Sequence, residues 1–252
     1  MSNEMICVLL LDASGSMSSD RDNVLKGVND YITNLQDDYT KHPEYGKVFF
    51  NLITFQSSLE SDSIEFIYNM TPIEEVEQIP SHLYTTSGGT PLFKSVIKVI
   101  DSLEVMRAEE PNVMEDFIKL RQGQDVKNSK IVFVIQTDGY DTTGNNPYSA
   151  TDVQNRIKKC EERGNWSVVF LGAGLDAMSQ GEVMGLSQGS TYAIRTKNSG
   201  GVVHVDYGST YTGVAAATSN LRTSSNLSTN TMGRDIKSYV ESIDDSDWKS
   251  KK

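Results

Sequence analysis

Four short apolar runs punctuate the chain: Met5 to Leu11 (MICVLLL), Val48 to Phe55 (VFFNLITF), Lys130 to Ile135 (KIVFVI) and Trp166 to Leu171 (WSVVFL). Three are nearly continuous in Val, Ile, Leu and Phe, the pattern of strands covered on both faces. Between them, apolar positions recur at helical spacing over Asn23 to Leu35, Pro91 to Met106 and Ala150 to Glu162. Alternating strands and helices predict an α/β chain: a doubly wound, Rossmann-like, mostly parallel sheet with helices on both faces. One pair breaks the alternation. Too few residues separate Phe55 from Ile64 for a helix, so SIEFIY, Ser63 to Tyr68, is expected to return antiparallel to VFFNLITF near a sheet edge. STYAIR, Ser190 to Arg195, reads as the last strand, with a helix after it around Gly213 to Leu221.

The segment from Asp101 to Ser129 is longer than a connection needs and reads as an insertion in a domain that runs from residue 1 to 221. From Arg222 to Lys252 the chain turns to Ser, Thr and Asn, though Ile236, Tyr239, Val240 and Ile243 are spaced to suit a short docked helix in this tail. The 252 residues carry 34 acidic against 23 basic side chains, a net charge of -11 with no basic cluster, which excludes nucleic acid and anionic membrane as natural partners. Only Cys7 and Cys160 are present, so no disulfide framework is implied. MSNEMICVLLLDAS lacks the positive flank and cleavage site of a signal peptide, and no apolar stretch approaches the roughly eighteen residues of a membrane span. The expectation is a cytoplasmic protein.

Candidate chemistry gathers where strands end. In a doubly wound sheet, ligands bind at the carboxyl ends of the strands, where strand order reverses. LDASGSM leaves the first strand there, QTDGYDT leaves KIVFVI at the same end, and TTSGGTPLF runs into a helix with Thr90 directly before Pro91, a plausible N-cap. Three loops thus converge Asp12, Ser14, Ser16, Thr90 and Asp138, all oxygen donors without a Cys or His among them. Such a set suits a hard divalent cation, Mg²⁺ above all, with Mn²⁺ or Ca²⁺ as alternatives. Alternation aims Asp12, Ser14 and Ser16 the same way, and Gly15, Gly88, Gly89 and Gly139 let backbone crowd close to an ion. Each motif alone would read as a helix cap or an Asp-Gly turn; their convergence points to metal.

DASGSM, SGGTPLF and TDG, in that order and after those strands, resemble the metal-ion-dependent adhesion site of von Willebrand factor type A domains. Asp12, Ser14, Ser16, Thr90 and Asp138 fill every position of the family pattern Asp-x-Ser-x-Ser, Thr, Asp, and the resemblance covers roughly residues 5 to 220. It implies a six-stranded sheet with one antiparallel edge strand and a metal-dependent protein-binding module. It further implies direct ligation by Ser14 and Ser16, water-mediated contact from Asp12, and exchange between the two modes at Thr90 and Asp138. The last coordination position is left to a partner's Asp or Glu carboxylate. Gly89, Tyr140 and Asp141 are the candidate partner contacts, although a turn role suits Tyr140 and Asp141 equally well.

Two other readings compete. LGAGLDA, Leu171 to Ala177, outlines a dinucleotide fingerprint, yet it follows a late strand and lacks the acidic residue expected about twenty positions on, so a tight turn is the better reading. Asp12 at a strand tip resembles a phosphatase nucleophile, but the acid/base position two residues on is Ser14. The function expected is therefore binding and not catalysis, with a metal-dependent hydrolase using Asp12, or a structural protein whose metal only stiffens loops, as the alternatives.

Overall fold

A computed structural model of the chain describes residues 4–57, 62–108, 128–142, 144, 146–174, 176–199, 201–224, 227 and 232–243. At its centre is β1 (Met5–Asp12), every residue of which is buried. A strand with no wet side must be hydrogen-bonded along both edges and covered on both faces. The parallel neighbours β2 (Val48–Ser57) and β4 (Lys130–Thr137) flank it. Beyond β2 lies antiparallel β3 (Asp62–Pro72), and beyond β4 come β5 (Trp166–Ala173) and β6 (Thr191–Ile194), so the sheet runs β3-β2-β1-β4-β5-β6. This is the six-stranded, mostly parallel sheet with one antiparallel edge strand that the apolar runs and the resemblance lead one to expect.

Period-two alternation divides the core between the two faces. Cys7, Leu9 and Leu11 pack towards α1 (Arg21–Lys41), α5 (Tyr207–Thr223) and α6 (Met232–Ser242). Ile6, Val8 and Leu10 pack towards α2 (Leu92–Ala108), α3 (Ala150–Glu161) and α4 (Ala177–Val183). Among the described residues no helix is long and apolar enough to cross a membrane.

Several elements differ from expectation. A hairpin of β7 (Thr196–Ser199) and β8 (Val202–Val205) follows the last strand, and α5 begins at Tyr207 instead of near Gly213. Asp206 caps that helix by accepting the Ser209 N–H at 3.1 Å, and the helical stripe of Tyr207, Thr210, Tyr211 and Val214 is hidden in the sequence by its hydroxyls. The stretch read as an insertion over 101–129 starts inside α2, which continues to Ala108; residues 109–127 lie outside the described residues. Arg222, where the tail was expected to begin, is buried: its guanidinium pairs with Asp38 and donates to the carbonyls of His42 (3.0 Å) and Gly46 (3.1 Å). In α6, Ile236 and Val240 are fully buried, and Gly233 lies so close to β6 that a Cβ there would stand 2.8 Å from the Thr191 carbonyl oxygen. The turn after β5 is tight for the same kind of reason, since a Cβ on Gly172 would fall 2.2 Å from that of Ala177.

Asn51, a polar residue inside an apolar strand, has a specific task. The β2–β3 ladder shifts register around it, and Met70 opposite adopts the left-handed region at φ 49. Asn51 Oδ1 accepts the Met70 backbone N–H at 2.9 Å and so satisfies the donor that the irregularity frees. Asn51→Ala is expected to cost about 1–3 kcal/mol, the desolvation penalty of an orphaned buried N–H, measured by urea unfolding.

Candidate metal centre

Parallel pairing brings the carboxyl ends of β1 and β4 level, with Leu11 opposite Gln136, so Asp12 and Thr137 leave the sheet side by side. Asp12 is fully buried. Its oxygens are held separately: Oδ1 accepts the Ser14 backbone N–H at 2.7 Å, and Oδ2 accepts the Thr137 hydroxyl at 2.5 Å. Buried Tyr84 donates its hydroxyl to the Asp12 carbonyl at 2.6 Å. Ser14 and Ser16 place their hydroxyl oxygens 3.0 Å apart, and Ser16 donates to Asp138 Oδ1 at 2.8 Å. Thr90 is buried beside this group, its hydroxyl 3.9 Å from where a Cβ on Gly139 would stand. Ser16 is exposed and Asp138 half-buried, so the cluster opens to solvent on their side.

Backbone bonds tie the loops to one another. The Gly15 N–H donates to Gly88 O (2.9 Å) and the Ser87 N–H to Ala13 O (2.8 Å). Gly89 exchanges both backbone bonds with Ser57, and Thr90 is bound to Thr142 through both its N–H and its carbonyl. A Cβ on Gly15 would come within 3.3 Å of the Gly88 oxygen, so a larger residue would press the two loops apart by a few tenths of an ångström.

Burial pushes the Asp12 carboxyl above the ordinary carboxylate range, the charge of Asp138 adds to this, and the hydrogen bonds from Thr137 and Ser14 oppose it. Neither Asp12 nor Asp138 has a salt-bridge partner among the described residues. The donor set fits a small hard cation. Adjacent ligands at Mg²⁺ distances in an octahedron lie roughly 3 Å apart, which matches the Ser14–Ser16 and Ser16–Asp138 separations of 3.0 and 2.8 Å. Among the described residues no three His, Cys, Asp or Glu side chains gather as a metal cluster; this group reaches its size through hydroxyls.

Four of the five residues expected at the metal are thus joined by direct bonds or a shared loop turn, and Thr90 stands next to them across Gly139. The expected partner contacts divide. Tyr140 is 51 % exposed and donates its hydroxyl to Asp176 at 2.7 Å. Asp141 instead accepts the Phe93 N–H (2.8 Å) and the Asn146 amide (2.7 Å), capping α2 from another loop, the task Thr90 was expected to perform. Thr90 stands one residue too early for it, because the Pro91 carbonyl accepts the first helical N–H, from Ser95, and the helix begins at Leu92. Gly89 is half-buried between Ser57 and Thr142. Sequence reasoning missed Thr137 and Tyr84. A hydroxyl directly before Asp138 was the available signal for the first; Tyr84 carried none.

The PilB minor pilin from Streptococcus sanguinis superposes on this chain with a TM-score of 0.52 at 12% identity, covering 86% of this chain and 61% of that one. The pilus adhesin SpaC from Lactobacillus rhamnosus GG, in its open conformation, gives 0.50 at 14% identity over 94% of this chain and 30% of the adhesin. The fold is that of the von Willebrand factor type A domains. Proximal thread matrix protein 1 from the mussel byssus, also solved with a zinc-occupied adhesion-site motif, gives 0.49 at 14% identity over 87% of this chain and 48% of that protein. This chain spans about half the mussel protein's length. No protein-family model matches the sequence, and no curated protein matches it either.

Asp12→Asn is expected to fold and, without metal, to melt no lower than the wild type, because it removes a buried charge while Thr137 can redirect its hydroxyl to Gly139 O, 3.2 Å away. The same variant should lose the rise in melting temperature that Mn²⁺ produces in the wild type. Calorimetric titration with Mn²⁺ beside thermal melts checks both outcomes.

Proposed function

We propose that this chain is a metal-dependent protein-binding module without catalysis of its own. Asp12, Ser14, Ser16, Thr90 and Asp138 hold a divalent cation, Mg²⁺ in the first instance, and a partner protein completes its coordination with an Asp or Glu carboxylate. One observation carries the reading: two carboxylates and two serine hydroxyls cluster with no salt-bridge partner among the described residues and open to solvent at Ser16 and Asp138. Bound there, the ion supplies a positive centre for an incoming carboxylate. Because three of the five ligands are neutral hydroxyls, part of its charge stays uncompensated, and attraction at short range is strong.

The alternatives fit less well. A nucleophilic Asp12 would need an accessible oxygen, whereas both of its oxygens are hydrogen-bonded and the residue is fully buried. A metal that merely stiffened the loops would have little left to do, since backbone bonds already join them. A cytoplasmic setting belongs to the proposal, in keeping with Cys7 and Cys160 as buried cysteines outside any disulfide.

Displayed random peptides, selected on the immobilised protein in Mg²⁺ and eluted with EDTA, should be enriched in Asp or Glu. Asp12→Asn should retain none of them, and Thr90→Ala should bind them about ten-fold more weakly. Peptides that bind equally well in EDTA would overturn the reading. Chelation alone should lower the melting temperature by only a few degrees, since the large apolar core and not the site supplies most of the stability.

A further inference from the structure

Beside the candidate metal centre lies a cavity of about 130 Å³, between the loop that carries Asp138 and the turn after β5. Thr137, Asp138, Tyr140, Phe170, Asp176 and Gln180 line it. Two observations set it apart from an ordinary surface dimple. Gln180 is only 5 % exposed, yet its side-chain amide makes no hydrogen bond among the described residues. Its polar atoms are reached only through this cavity, so a ligand entering there can offer the amide the partner that the protein does not. The carboxylates are also unbalanced: Asp176 accepts one hydrogen bond, from Tyr140, and neither Asp176 nor Asp138 has a salt-bridge partner among the described residues.

Resting on the metal-dependent reading above, we infer that this cavity takes a basic side chain, ammonium or guanidinium, from the same partner that offers its carboxylate to the metal. Phe170 and Ala177 provide an apolar wall for a methylene stem, while Asp138, Asp176 and the Gln180 carbonyl oxygen provide acceptors for the charged head. The pairing also resolves a conflict in the electrostatics. The metal attracts an acidic residue, but the chain carries -11 and presents Asp138 and Asp176 beside the ion. A partner with an acidic and a basic residue close together meets both demands, and one with acidic residues alone meets repulsion next to the metal. Tyr140 fixes Asp176 by its 2.7 Å bond and so orients the wall nearest the solvent.

The test compares peptides selected in Mg²⁺ on the wild type with those selected on a double variant, Asp176→Asn with Gln180→Leu, whose melting temperature and Mn²⁺ titration are measured first. Wild-type selections should show Lys or Arg within a few positions of the acidic residue. Replacing that basic residue by Ala should weaken binding to the wild type about ten-fold, the effect of losing a charged hydrogen bond. On the double variant, the acidic residue and EDTA sensitivity should persist while the basic preference disappears. Wild-type peptides that are acidic and EDTA-sensitive without a basic bias, or the same bias on the double variant, would overturn the basic pocket and leave the metal reading standing. Absence of any EDTA-sensitive peptide would overturn both. As a check that needs no variant, Nα-acetyl-lysine methylamide titrated into the wild type should shift the Gln180 side-chain amide NMR signals; no shift at saturating metal would also refute the pocket.

Discussion

A carboxylate buried at the end of the central strand is the constraint around which the loops at that end of the sheet are built. Asp12 is the last residue of a strand that is wet on neither face, and taking its charge out of water is costly. Two donors, the Ser14 N–H and the Thr137 hydroxyl, offset part of that cost and dictate the turn that follows. Burial still leaves its pKa raised. Among the described residues no cationic side chain pairs with Asp12 or Asp138; in the proposed function an external cation would balance them, and the neighbouring hydroxyls of Ser14 and Ser16 are the neutral oxygens such an ion would use.

Rigidity comes from bonds that join loops distant in the chain. Residues 13–15 are paired to residues 87–88, Ser57 to Gly89, and Thr90 to Thr142. Asp141 adds a further tie, because the loop that carries Asp138 also caps the helix that follows Thr90. The oxygens of the candidate site therefore stand on one connected scaffold, and a ligand would not have to spend binding energy on ordering them. A displacement at Thr90 would be felt by Asp138 through the same connections, which couples ligand geometry on one loop to that on another.

The acidic balance of the chain acts at two ranges. At a distance it is screened beyond about 10 Å at ordinary ionic strength and does little to select partners. Within contact distance of the candidate site, Asp138, Asp176 and the Gln180 amide are too near an incoming group for salt to intervene fully, and there the signs of neighbouring groups decide what fits.

Much of this protein was legible in its sequence by itself. The apolar runs MICVLLL, VFFNLITF, KIVFVI and WSVVFL mark strands buried on both faces because burial leaves its record in composition, and the short gap before SIEFIY betrays the antiparallel edge. DASGSM, Thr90 and TDG were readable as one group because parallel strands must send their ends to the same side. Other features had no local trace. The hairpin of β7 and β8, the early start of α5 and the burial of Arg222 depend on partners far along the chain, such as Asp38 for Arg222. Asn51 looks like a flaw in its strand until Met70 is brought opposite. Asp141, readable as a turn residue or as a partner contact, caps α2, while Thr137, Tyr84 and Gln180 gained their places only when folding set them beside Asp12 and the cavity. Periodicity reports which side of an element is buried, but a hydrogen bond between residues dozens of positions apart has no period, and only the tertiary structure decides it.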